Sequence, residues 1–211
     1  MIAVVDYGMG NLRSLAKALT YVGGEAVVTR DPEQIRKADR IFLPGVGAFA
    51  QGMENLRSYG LIPVLEEEIL KKKKPCWGVC LGMQLLATSS EEFGVHTGLN
   101  WIPAEVKRFA FPAGVTLTIP HVGWNSVRFV REHPVSSTME ATDFYFVHSY
   151  YVALKENDLI VGTCDYGGEF TACFAHENIF ATQFHPEKSQ EAGLTMLKNF
   201  CEWQPSISPL P

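Results

Sequence analysis

The sequence predicts an α/β protein: a doubly wound, mostly parallel sheet with helices on both faces, and a β-rich extension in the second half. Two features of the chain lead to this fold class. In the first half, short apolar runs alternate with segments of helical periodicity, and connections of that length join parallel strands. Between residues 99 and 184, short β-rich runs replace the helical periodicity, which indicates hairpins or a mixed extension of the sheet.

Short apolar runs in the first half predict a buried strand at Ile2–Val5 and further strands at Ala26–Thr29, Ile41–Leu43 and Cys76–Val79. The segments between them predict helices at Leu12–Val22, from Asp31 onwards, at Met53–Leu70 with a break near Pro63, and at Leu81–Ala87. Gly23 and Gly24 end the first helix, because glycine readily adopts the conformation of a helix C-terminus. Asp31 and Pro32 begin the second, because Asp caps helix N-termini and proline fits the first turn.

The second half predicts further strands at Val106–Phe109, Val115–Ile119, Ser126–Val130, Phe144–Val147, Ile160–Thr163, Phe170–Phe174 and Ile179–Gln183. A last helix is predicted from about Ser189 to Trp203. The chain has no internal repeat and no linker rich in Gly, Ser or Pro, so we expect residues 1–203 to form one domain. Residues 204–211 are expected to be a disordered tail.

Composition and charge narrow the class of function. The 211 residues carry 18 basic and 23 acidic side chains, and the net charge of −5 argues against a nucleic-acid partner, which usually requires a basic face. The one basic run, Lys71–Lys74, follows a predicted helix, and cations interact favourably with the dipole at that end. Hydrophobic residues make up 46% and charged residues 19%, which is typical of a folded globular protein.

The sequence also predicts the compartment. Met1–Asp6 lacks the basic and apolar regions of a signal peptide, and no apolar run reaches the roughly 18 residues of a membrane span. The five cysteines are odd in number and sparse, which favours free thiols in a reducing cytoplasm over a disulfide framework. Neither the cysteines nor the six histidines show a metal-binding spacing, so we expect no metal and no cofactor.

The strongest chemical signal is Gly78-Val79-Cys80-Leu81-Gly82, a G-x-C-x-G sequence between a predicted strand and a predicted helix. In the related G-x-S-x-G pattern, small residues flank a nucleophile on a sharp, strained turn that exposes its side chain. A cysteine there also meets a helix N-terminus, which favours the thiolate, and the next N–H group would face a reaction oxyanion. The alternative is a buried cysteine between two packing glycines.

A cysteine nucleophile needs a base, and the base needs a group that orients it. Gln183-Phe184-His185-Pro186-Glu187 supplies both, because residues i and i+2 of an extended segment point to the same side. Pro186 has a fixed φ, which helps to keep the segment extended. A lone His-x-Glu is more often an ordinary loop after a strand, but together with the cysteine motif a triad is the better interpretation.

Two glycine-containing loops follow predicted strands. Pro44-Gly45-Val46-Gly47 permits unusual φ values and close approach of the backbone to a ligand, which suits a second oxyanion donor, although a plain turn has the same composition. Gly8-Met9-Gly10 is only a fragment of a phosphate-binding loop. Arg13 stands at the third glycine position and no Lys-Ser/Thr follows, so nucleotide binding is not expected.

The motifs around Cys80 and His185 together resemble those of the class I, or triad, glutamine amidotransferases, which have a flavodoxin-like fold. Further motifs are similar to those of the glutaminase subunits of imidazole glycerol phosphate synthase, an enzyme of histidine biosynthesis. These motifs are Asp6–Leu12, Pro44–Gly47, Pro120–Asn125 and Tyr145–Tyr150. The resemblance extends from about residue 2 to residue 203.

The resemblance implies roles for individual residues. Cys80 would attack the side-chain amide of glutamine, with His185 as general base and acid and Glu187 as its orienting group. The backbone N–H of Leu81 and one from the Val46–Gly47 segment would hold the oxyanion, and a peptide flip would decide which of the latter two donates.

The resemblance also implies which residues hold glutamine. They are Gln84, Glu92, His148, Ser149 and Tyr150, the last three partly through their backbone. For His148, which lies in an apolar run, the alternative is a hydrogen-bonded core histidine.

A protein partner is implied as well. Free ammonia is largely protonated in water at pH 7 and ammonium is no nucleophile, so a synthase benefits from a protected path. In the family, a cyclase subunit of (β/α)8-barrel fold docks over the glutaminase site in a heterodimer. It makes imidazole glycerol phosphate and aminoimidazole carboxamide nucleotide. Trp124 and Asn125 are candidate interface residues, since Trp is enriched at interaction hot spots; the alternative is a core Trp at a strand start.

Three other functions share parts of this pattern. The glutaminase subunit of another synthase, such as anthranilate synthase, has the same triad, but Asp6–Leu12 and Pro120–Asn125 favour the histidine pathway. The intact set Cys80, His185 and Glu187 argues against a non-catalytic regulatory module. Activity on amides other than glutamine, without a partner, would indicate a stand-alone cysteine hydrolase.

Overall fold

The structure is a computed structural model that describes residues 1–112, 114–137 and 139–205. Within these residues the strands form two sheets, one of nine strands and one of four. Residues 206–211 of the predicted tail lie outside the described residues, so disorder there stays a prediction. No helix in the described ranges has the length and apolar character needed to cross a membrane.

The first half forms the predicted parallel unit. Its strands are β1 (Ile2–Val5), β2 (Ala26–Thr29), β3 (Arg40–Gly45) and β4 (Cys76–Cys80), parallel and in the order β2-β1-β3-β4. Every residue of β1, β3 and β4 is buried, as expected when helices cover both faces of a parallel sheet. All four predicted strands are confirmed, and β3 extends to Gly45.

The helices of the first half are α1 (Leu12–Tyr21), α2 (Pro32–Lys37), α3 (Phe49–Ser58), α4 (Ile62–Leu65) and α5 (Leu81–Leu85). Asp31 caps α2 as predicted, since its carboxylate accepts the N–H of Glu33 at 2.9 Å. The interruption predicted near Pro63 falls between α3 and α4, and Pro63 itself lies in the first turn of α4, where proline is tolerated.

A π-helical turn, Glu66–Lys71, continues α4 and leads into the basic run Lys71–Lys74. The ammonium groups of Lys72 and Lys74 lie 2.7 and 2.6 Å from the carboxylate of Glu68, whose side chain is fully buried. Burial raises the pKa of Glu68, but the two lysines outweigh it and keep that pKa below its ordinary value. Two lysines of the basic run therefore neutralise a buried carboxylate at the end of a helical segment, where the sequence analysis placed this run.

The strands added after α5 pair mostly antiparallel. They are β5 (Ala87–Ser90), β6 (His96–Thr97), β7 (Ile102–Arg108), β8 (His121–Phe129), β9 (Thr142–His148), β10 (Tyr150–Leu154), β11 (Ile160–Asp165), β12 (Glu169–His176) and β13 (Ile179–Thr182). The first sheet continues as β4-β13-β12-β11-β8-β9, and β10-β7-β5-β6 form the second. Of the added strands in the first sheet, β13 pairs in parallel with β4 and the rest are antiparallel. This is the predicted β-rich extension.

Two predictions for these segments are wrong. Val115–Ile119 is irregular chain, because it has no strand beside it in the described structure; Val115 and Leu117 are 39% and 40% exposed. The helix predicted at Leu81–Ala87 ends at Leu85, because Ala87 begins β5 and pairs in parallel with Ile102 of β7. Strand β10, which the sequence analysis missed, pairs with β7.

Helices cover both faces of the first sheet, as predicted for a doubly wound fold. Alternate residues of β1 enter different cores: Ala3 and Val5 pack with α3, α4 and α5, whereas Ile2 and Val4 pack with α1 and α6 (Gln190–Glu202). The apolar side chains of the second sheet join the first of these cores. The predicted last helix is confirmed, with Ser189 and Trp203 as its flanking residues.

Candidate active site

Cys80 stands on a strained turn between β4 and α5. Its φ of 54° and ψ of −110° lie where residues other than glycine rarely occur, and such strain concentrates at functional sites. Gly82 makes the turn possible: a Cβ there would lie 1.7 Å from the Leu43 carbonyl oxygen of β3. The G-x-C-x-G sequence thus forms the nucleophile elbow that its spacing predicts.

The Cys80 side chain faces the second half of the sheet. Its Sγ lies 3.6 Å from Nε2 of Gln183, which donates to it, and 3.9 Å from the carbonyl oxygen of Val147. The residue is only 5% exposed. The thiol is therefore held between the ends of β4, β9 and β13 in a nearly closed site.

His185 and Glu187 form the expected pair. Nδ1 of His185 lies 3.0 Å from a carboxylate oxygen of Glu187, and the two side chains are 2% and 5% exposed. The segment was predicted to be extended, with His185 and Glu187 side by side, but Pro186–Lys188 forms a 3-10 turn. The turn brings the carboxylate back to the imidazole over the same two-residue separation.

The backbone around His185 is fixed by its neighbours. Its N–H donates to the carbonyl of Tyr145 at 3.0 Å. The Ser189 hydroxyl donates to the His185 carbonyl at 2.6 Å and accepts the Tyr145 N–H at 3.0 Å. Ser189 thereby ties the catalytic turn to β9.

The electrostatics of the site favour a charged imidazole. Burial lowers the pKa of His185, but its interactions with Cys80 and Glu187 outweigh burial and raise that pKa to about 10. Nε2 of His185 is buried and has no geometrically complete hydrogen bond among the described residues, and catalytic hydrogen bonds are often long before substrate binds. At neutral pH the arrangement therefore favours the imidazolium form of His185.

The loop that follows β3 lies against the elbow. Gly45 is the register partner of Cys80, so Val46 and Gly47 follow directly beside the nucleophile. Val46 is 42% exposed and Gly47 has a φ of 130°, which a residue with a side chain rarely adopts. The N–H groups predicted to hold an oxyanion, those of Leu81 and the Val46–Gly47 segment, therefore belong to adjoining strand ends.

The loop after β1 braces this segment. A Cβ added at Gly45 would lie 2.0 Å from the hydroxyl of Tyr7, and one added at Gly47 would lie 2.5 Å from Cε of Met9. The Tyr7 hydroxyl is buried and has no hydrogen-bond partner among the described residues. Burial and the nearby charge of Cys80 both raise the pKa of Tyr7. The Asp6–Leu12 motif therefore packs against Gly45–Gly47, part of which is predicted to hold an oxyanion.

The candidate glutamine-binding residues adjoin one another. Gln84, 6% exposed, donates through Nε2 to the carbonyl of Tyr150 at 3.0 Å. Glu92 accepts the N–H of Phe49 at 2.5 Å and so caps α3. Burial and the nearby Glu92 carboxylate raise the pKa of Tyr150, so the two side chains lie within electrostatic reach of each other. Ser149 is half-buried at the start of the same segment.

His148 occupies its ring within the protein. Nδ1 lies 2.8 Å from the Tyr150 carbonyl and Nε2 lies 3.0 Å from Nδ1 of His121. Both nitrogens are therefore engaged, as in the core-histidine alternative, and a substrate contact at this residue would use the backbone.

One polar residue beside Cys80, Gln183, was not among the predicted site residues. Gln183 is fully buried; its Oε1 accepts from Gln84 at 3.1 Å while its Nε2 donates to Cys80. A signal was present, because Gln183 precedes His185 by two residues in the same motif. Gln183 thus joins the candidate substrate site to the thiol.

Trp124 lies on the surface, which excludes the alternative of a core tryptophan. It is 48% exposed, its neighbour Val122 is 56% exposed, and its ring packs at 6.2 Å against Tyr145. The ammonium of Lys188 lies 5.5 Å from the same Tyr145 ring. An apolar and cationic surface therefore adjoins the turn that carries His185.

No group of three or more His, Cys, Asp or Glu side chains in the described ranges is arranged to hold a metal ion. The described site offers a thiol, an imidazole, a carboxylate and backbone N–H groups. A thiol beside an imidazole–carboxylate pair at an elbow is equipped for nucleophilic attack on a carbonyl carbon.

This fold and site define a class of protein, a cysteine-dependent amidotransferase. Residues 3–203 match the family model described as glutamine amidotransferase class-I. Imidazole glycerol phosphate synthase subunit HisH of Geobacter sulfurreducens is 49% identical over 206 residues, which are 95% of this chain and 98% of that protein. The HisH subunit of Moorella thermoacetica is 48% identical over 202 residues, 95% and 94% of the two chains.

The chain belongs to the class I glutamine amidotransferases and, within them, to the family of imidazole glycerol phosphate synthase HisH subunits. The resemblance drawn from its motifs is confirmed. Solved structures agree on the fold. A glutamine amidotransferase has a TM-score of 0.72 at 18% identity over 95% of this chain and 99% of that one. The glutaminase domain of Trypanosoma brucei CTPS has a TM-score of 0.64 at 16% identity over 96% and 94%.

Proposed function

We propose that the chain is the glutaminase subunit of an imidazole glycerol phosphate synthase and hydrolyses glutamine to glutamate and ammonia for histidine biosynthesis. The observation that carries the assignment is the 49% identity to a subunit of that synthase across nearly the whole of both chains. The buried arrangement of Cys80, His185 and Glu187 supports the chemistry, because it pairs a nucleophile with a base and an orienting group.

The first step is attack by the Cys80 thiolate on the side-chain amide carbon of glutamine. A C–S bond forms and the carbonyl electron pair moves to oxygen. The N–H of Leu81 and one from the Val46–Gly47 segment would receive this oxyanion, and one such donor contributes roughly 10²–10³-fold to the rate in other acyl-transfer enzymes. Gln183, hydrogen-bonded to the sulfur, keeps the thiolate directed toward its substrate.

The second step is collapse of the tetrahedral intermediate. The carbonyl re-forms, the C–N bond breaks, and the His185 imidazolium gives its proton to the departing nitrogen, which leaves as ammonia. The raised pKa of His185 ensures that the proton is present at neutral pH. Glu187 holds the ring in place throughout, because its carboxylate stays bonded to Nδ1. The product on the enzyme is a glutamyl thioester at Cys80.

The third step is hydrolysis of the thioester. The imidazole of His185, now neutral, takes a proton from water as the water oxygen attacks the carbonyl carbon. The carbonyl re-forms, the C–S bond breaks, and the thiolate of Cys80 leaves. The new carboxyl group loses its remaining proton to solvent, and the product departs as glutamate. The imidazolium and thiolate with which the cycle began are thereby restored.

The proposed partner is a cyclase subunit of (β/α)8-barrel fold, joined to this chain in a heterodimer. Ammonia released in a nearly closed site can pass to the cyclase before water protonates it. The cyclase would join it to a nucleotide substrate and form imidazole glycerol phosphate and aminoimidazole carboxamide nucleotide. The exposed surface of Val122 and Trp124, next to the His185 turn, is the face that we assign to this partner. The side chain of Asn125 is bonded on the other side of β8, so we expect it to contribute less to this interface.

We further propose that residues 1–203 act as one amidotransferase domain in the cytoplasm. Each of the two cores joins residues from the first half of the chain with residues from the second half. All five cysteines lie in described residues and are free thiols, which suits a reducing compartment and an enzyme that depends on one of them.

Glutamate release from glutamine tests the proposal. The full chain is assayed alone and with its cyclase subunit and the cyclase's nucleotide ligand, and Cys80→Ala is the control. We expect strong release in the complex and none from the variant. Ammonia transfer to an anthranilate synthase subunit in place of the cyclase would indicate another synthase. Release from amides other than glutamine would indicate a general hydrolase, and no release under any condition a regulatory module.

A further inference from the structure

Two histidines next to the site take no part in the triad. His121 of β8 and His148 of β9 are register partners, are 3% and 6% exposed, and approach to 3.0 Å between Nδ1 of the first and Nε2 of the second. The rings of Tyr166 and Phe146 stack on His121 at 3.9 and 4.9 Å. Burying imidazoles among aromatic rings is unfavourable unless their nitrogens are hydrogen-bonded. Each ring nitrogen therefore needs a partner of the opposite kind, a donor for a bare nitrogen and an acceptor for an N–H.

The proton on His148 can be located. Nδ1 lies 2.8 Å from the Tyr150 carbonyl oxygen, which can only accept, so Nδ1 carries a hydrogen. Burial lowers the pKa of His148 to about 3, and the ring is neutral at pH 7. A neutral ring with hydrogen on Nδ1 has a bare Nε2. The bond between the two histidines therefore runs from Nδ1–H of His121 to Nε2 of His148.

The same reasoning fixes His121. Burial lowers its pKa to about 4, so its Nε2 is also bare and accepts. The Asn125 amide nitrogen lies 3.4 Å from that Nε2 and also donates to the carbonyl of Asp165 at 2.9 Å. The orientation of the amide is independently set, because its oxygen accepts the Ser126 N–H at 2.9 Å. In this series of hydrogen bonds, Asn125 donates to His121, His121 donates to His148, and His148 donates to the Tyr150 carbonyl.

The chain of hydrogen bonds ends on a carbonyl that faces the site. Tyr150 O also accepts from Gln84 Nε2, whose other partner is Gln183 Oε1, and Gln183 reaches the sulfur of Cys80. Both lone pairs of the Tyr150 carbonyl are therefore used, one by His148 and one by Gln84. The peptide between Tyr150 and Tyr151 is therefore held from two sides.

We propose that His121 and His148 are positioning residues of the glutaminase reaction: as a neutral pair with fixed hydrogen-bond direction, they hold the Tyr150 carbonyl, and so keep the end of the Ser149–Tyr150 segment in the conformation that receives glutamine. The inference rests on the proposed function, because it assigns a task to a segment proposed to bind substrate. Neither imidazole transfers a proton in the reaction. Their effect is on substrate affinity, through the orientation of one peptide.

Two substitutions at His121 separate hydrogen bonding from packing. His121→Phe keeps an aromatic ring among its aromatic neighbours but removes the donor, so Nε2 of His148 is left buried and unpaired. His121→Asn places an amide N–H near the position of Nδ1 and keeps the donor. Glutamine hydrolysis is measured in the complex of the full chain with its cyclase subunit and ligand, and KM and kcat are determined separately.

We expect His121→Phe to raise KM for glutamine by about tenfold, the effect of one buried acceptor left unpaired, with a much smaller change in kcat. His121→Asn is expected to restore most of that loss. An unchanged KM in His121→Phe, or equal losses in the two variants, would overturn the proposal, because packing alone would then explain the pair.

A spectroscopic measurement on the unmodified chain keeps the test independent of how the variants fold. Nitrogen NMR of the ¹⁵N-histidine-labelled full chain at pH 7 is expected to show both rings neutral with hydrogen on Nδ1. Hydrogen on Nε2 of either ring would overturn the assignment. A wild-type complex that shows this tautomer pattern but hydrolyses no glutamine would refute the proposed function and not the hydrogen-bond direction.

Discussion

The two halves of the nine-stranded sheet contribute to the site in different ways. The parallel half supplies Cys80 and the Gly45–Gly47 segment from the ends of two adjacent buried strands, and the close approach of Gly82 to the Leu43 carbonyl fixes their backbone. The added half supplies His185 and Glu187 on a short 3-10 turn, which the His185 N–H bond to the Tyr145 carbonyl joins to β9. The proposed nucleophile is thus held by rigid sheet backbone, whereas its proposed base is held by a turn and a few hydrogen bonds.

The largest expected effect sharpens this contrast through two glycines. Gly82→Ala would place a Cβ 1.7 Å from the Leu43 carbonyl in the buried centre of the sheet, and Gly193→Ala would place one 1.8 Å from the Pro186 carbonyl in the catalytic turn. We expect Gly82→Ala to lower the free energy of unfolding by about 4 kcal/mol or more, because neither backbone segment can move. We expect Gly193→Ala to lower glutaminase activity more than stability, because the short 3-10 turn can shift.

Urea unfolding and glutamine hydrolysis measured on the same preparations check both variants. Gly52→Ala in α3 is the matched control, because its added Cβ would meet only side-chain atoms of Leu81 and Leu85, at 3.3 Å. Equal loss of stability in Gly82→Ala and Gly193→Ala would remove the distinction between the two halves.

The second prediction concerns the added half alone. Glu187→Gln removes the charge that helps to raise the pKa of His185 but keeps a side chain of similar size. We expect kcat to fall by about 100-fold or more, within the range that general acid–base groups contribute. The high pKa of His185 means that its proton is lost only as the pH rises toward 10, so in the variant the alkaline limb of the pH–rate profile should move to lower pH.

The profile of kcat against pH distinguishes this effect from misfolding. Glu191→Gln, an acidic residue in the first turn of the adjacent helix α6, is the control for a nearby loss of charge. An alkaline limb that stays in place in Glu187→Gln would show that the carboxylate does not act on His185.

The smallest expected effect lies in the parallel half. Tyr7→Phe removes a buried hydroxyl that has no partner in the described residues, next to Gly45. We expect stability to stay constant or to rise by up to about 1 kcal/mol, since a polar group without a partner is unfavourable in a core. If urea unfolding instead shows that the free energy of unfolding falls by more than about 1 kcal/mol, the hydroxyl is hydrogen-bonded in solution. Tyr21→Phe, at an exposed tyrosine, controls for removal of a hydroxyl as such.

How much could be predicted from the sequence depends on how far apart the interacting residues lie along the chain. The four parallel strands, the Asp31 cap and the Cys80 elbow depend on residues close together in the chain, and all were found in the sequence. The start of α3 was missed by four residues, because Glu92, 43 positions further along, caps Phe49. The position of Gln183 next to Cys80 required the pairing of β13 with β4.

Strand predictions failed where a partner decides the outcome. Val115–Ile119 has the alternating composition of a strand, but no strand of the described structure lies beside it. Ala87 has the composition of a helix and instead pairs with β7. The direction of the His121–His148 hydrogen bond could not be predicted from the sequence either, because it depends on the position of the Tyr150 carbonyl. Composition shows what a segment can form, and the neighbouring segment determines which form it takes.

The parallel pairing of β4 with β13 has a consequence for the order of events during synthesis. The ribosome adds Cys80 long before its proposed partners in the site, since Gln183 is 103 positions further along. A nascent chain that stops before β13 has the Cys80 thiol without the His185 imidazole and the Glu187 carboxylate. Under the proposed mechanism, the glutaminase site is therefore complete only after the turn that follows β13 has been synthesised.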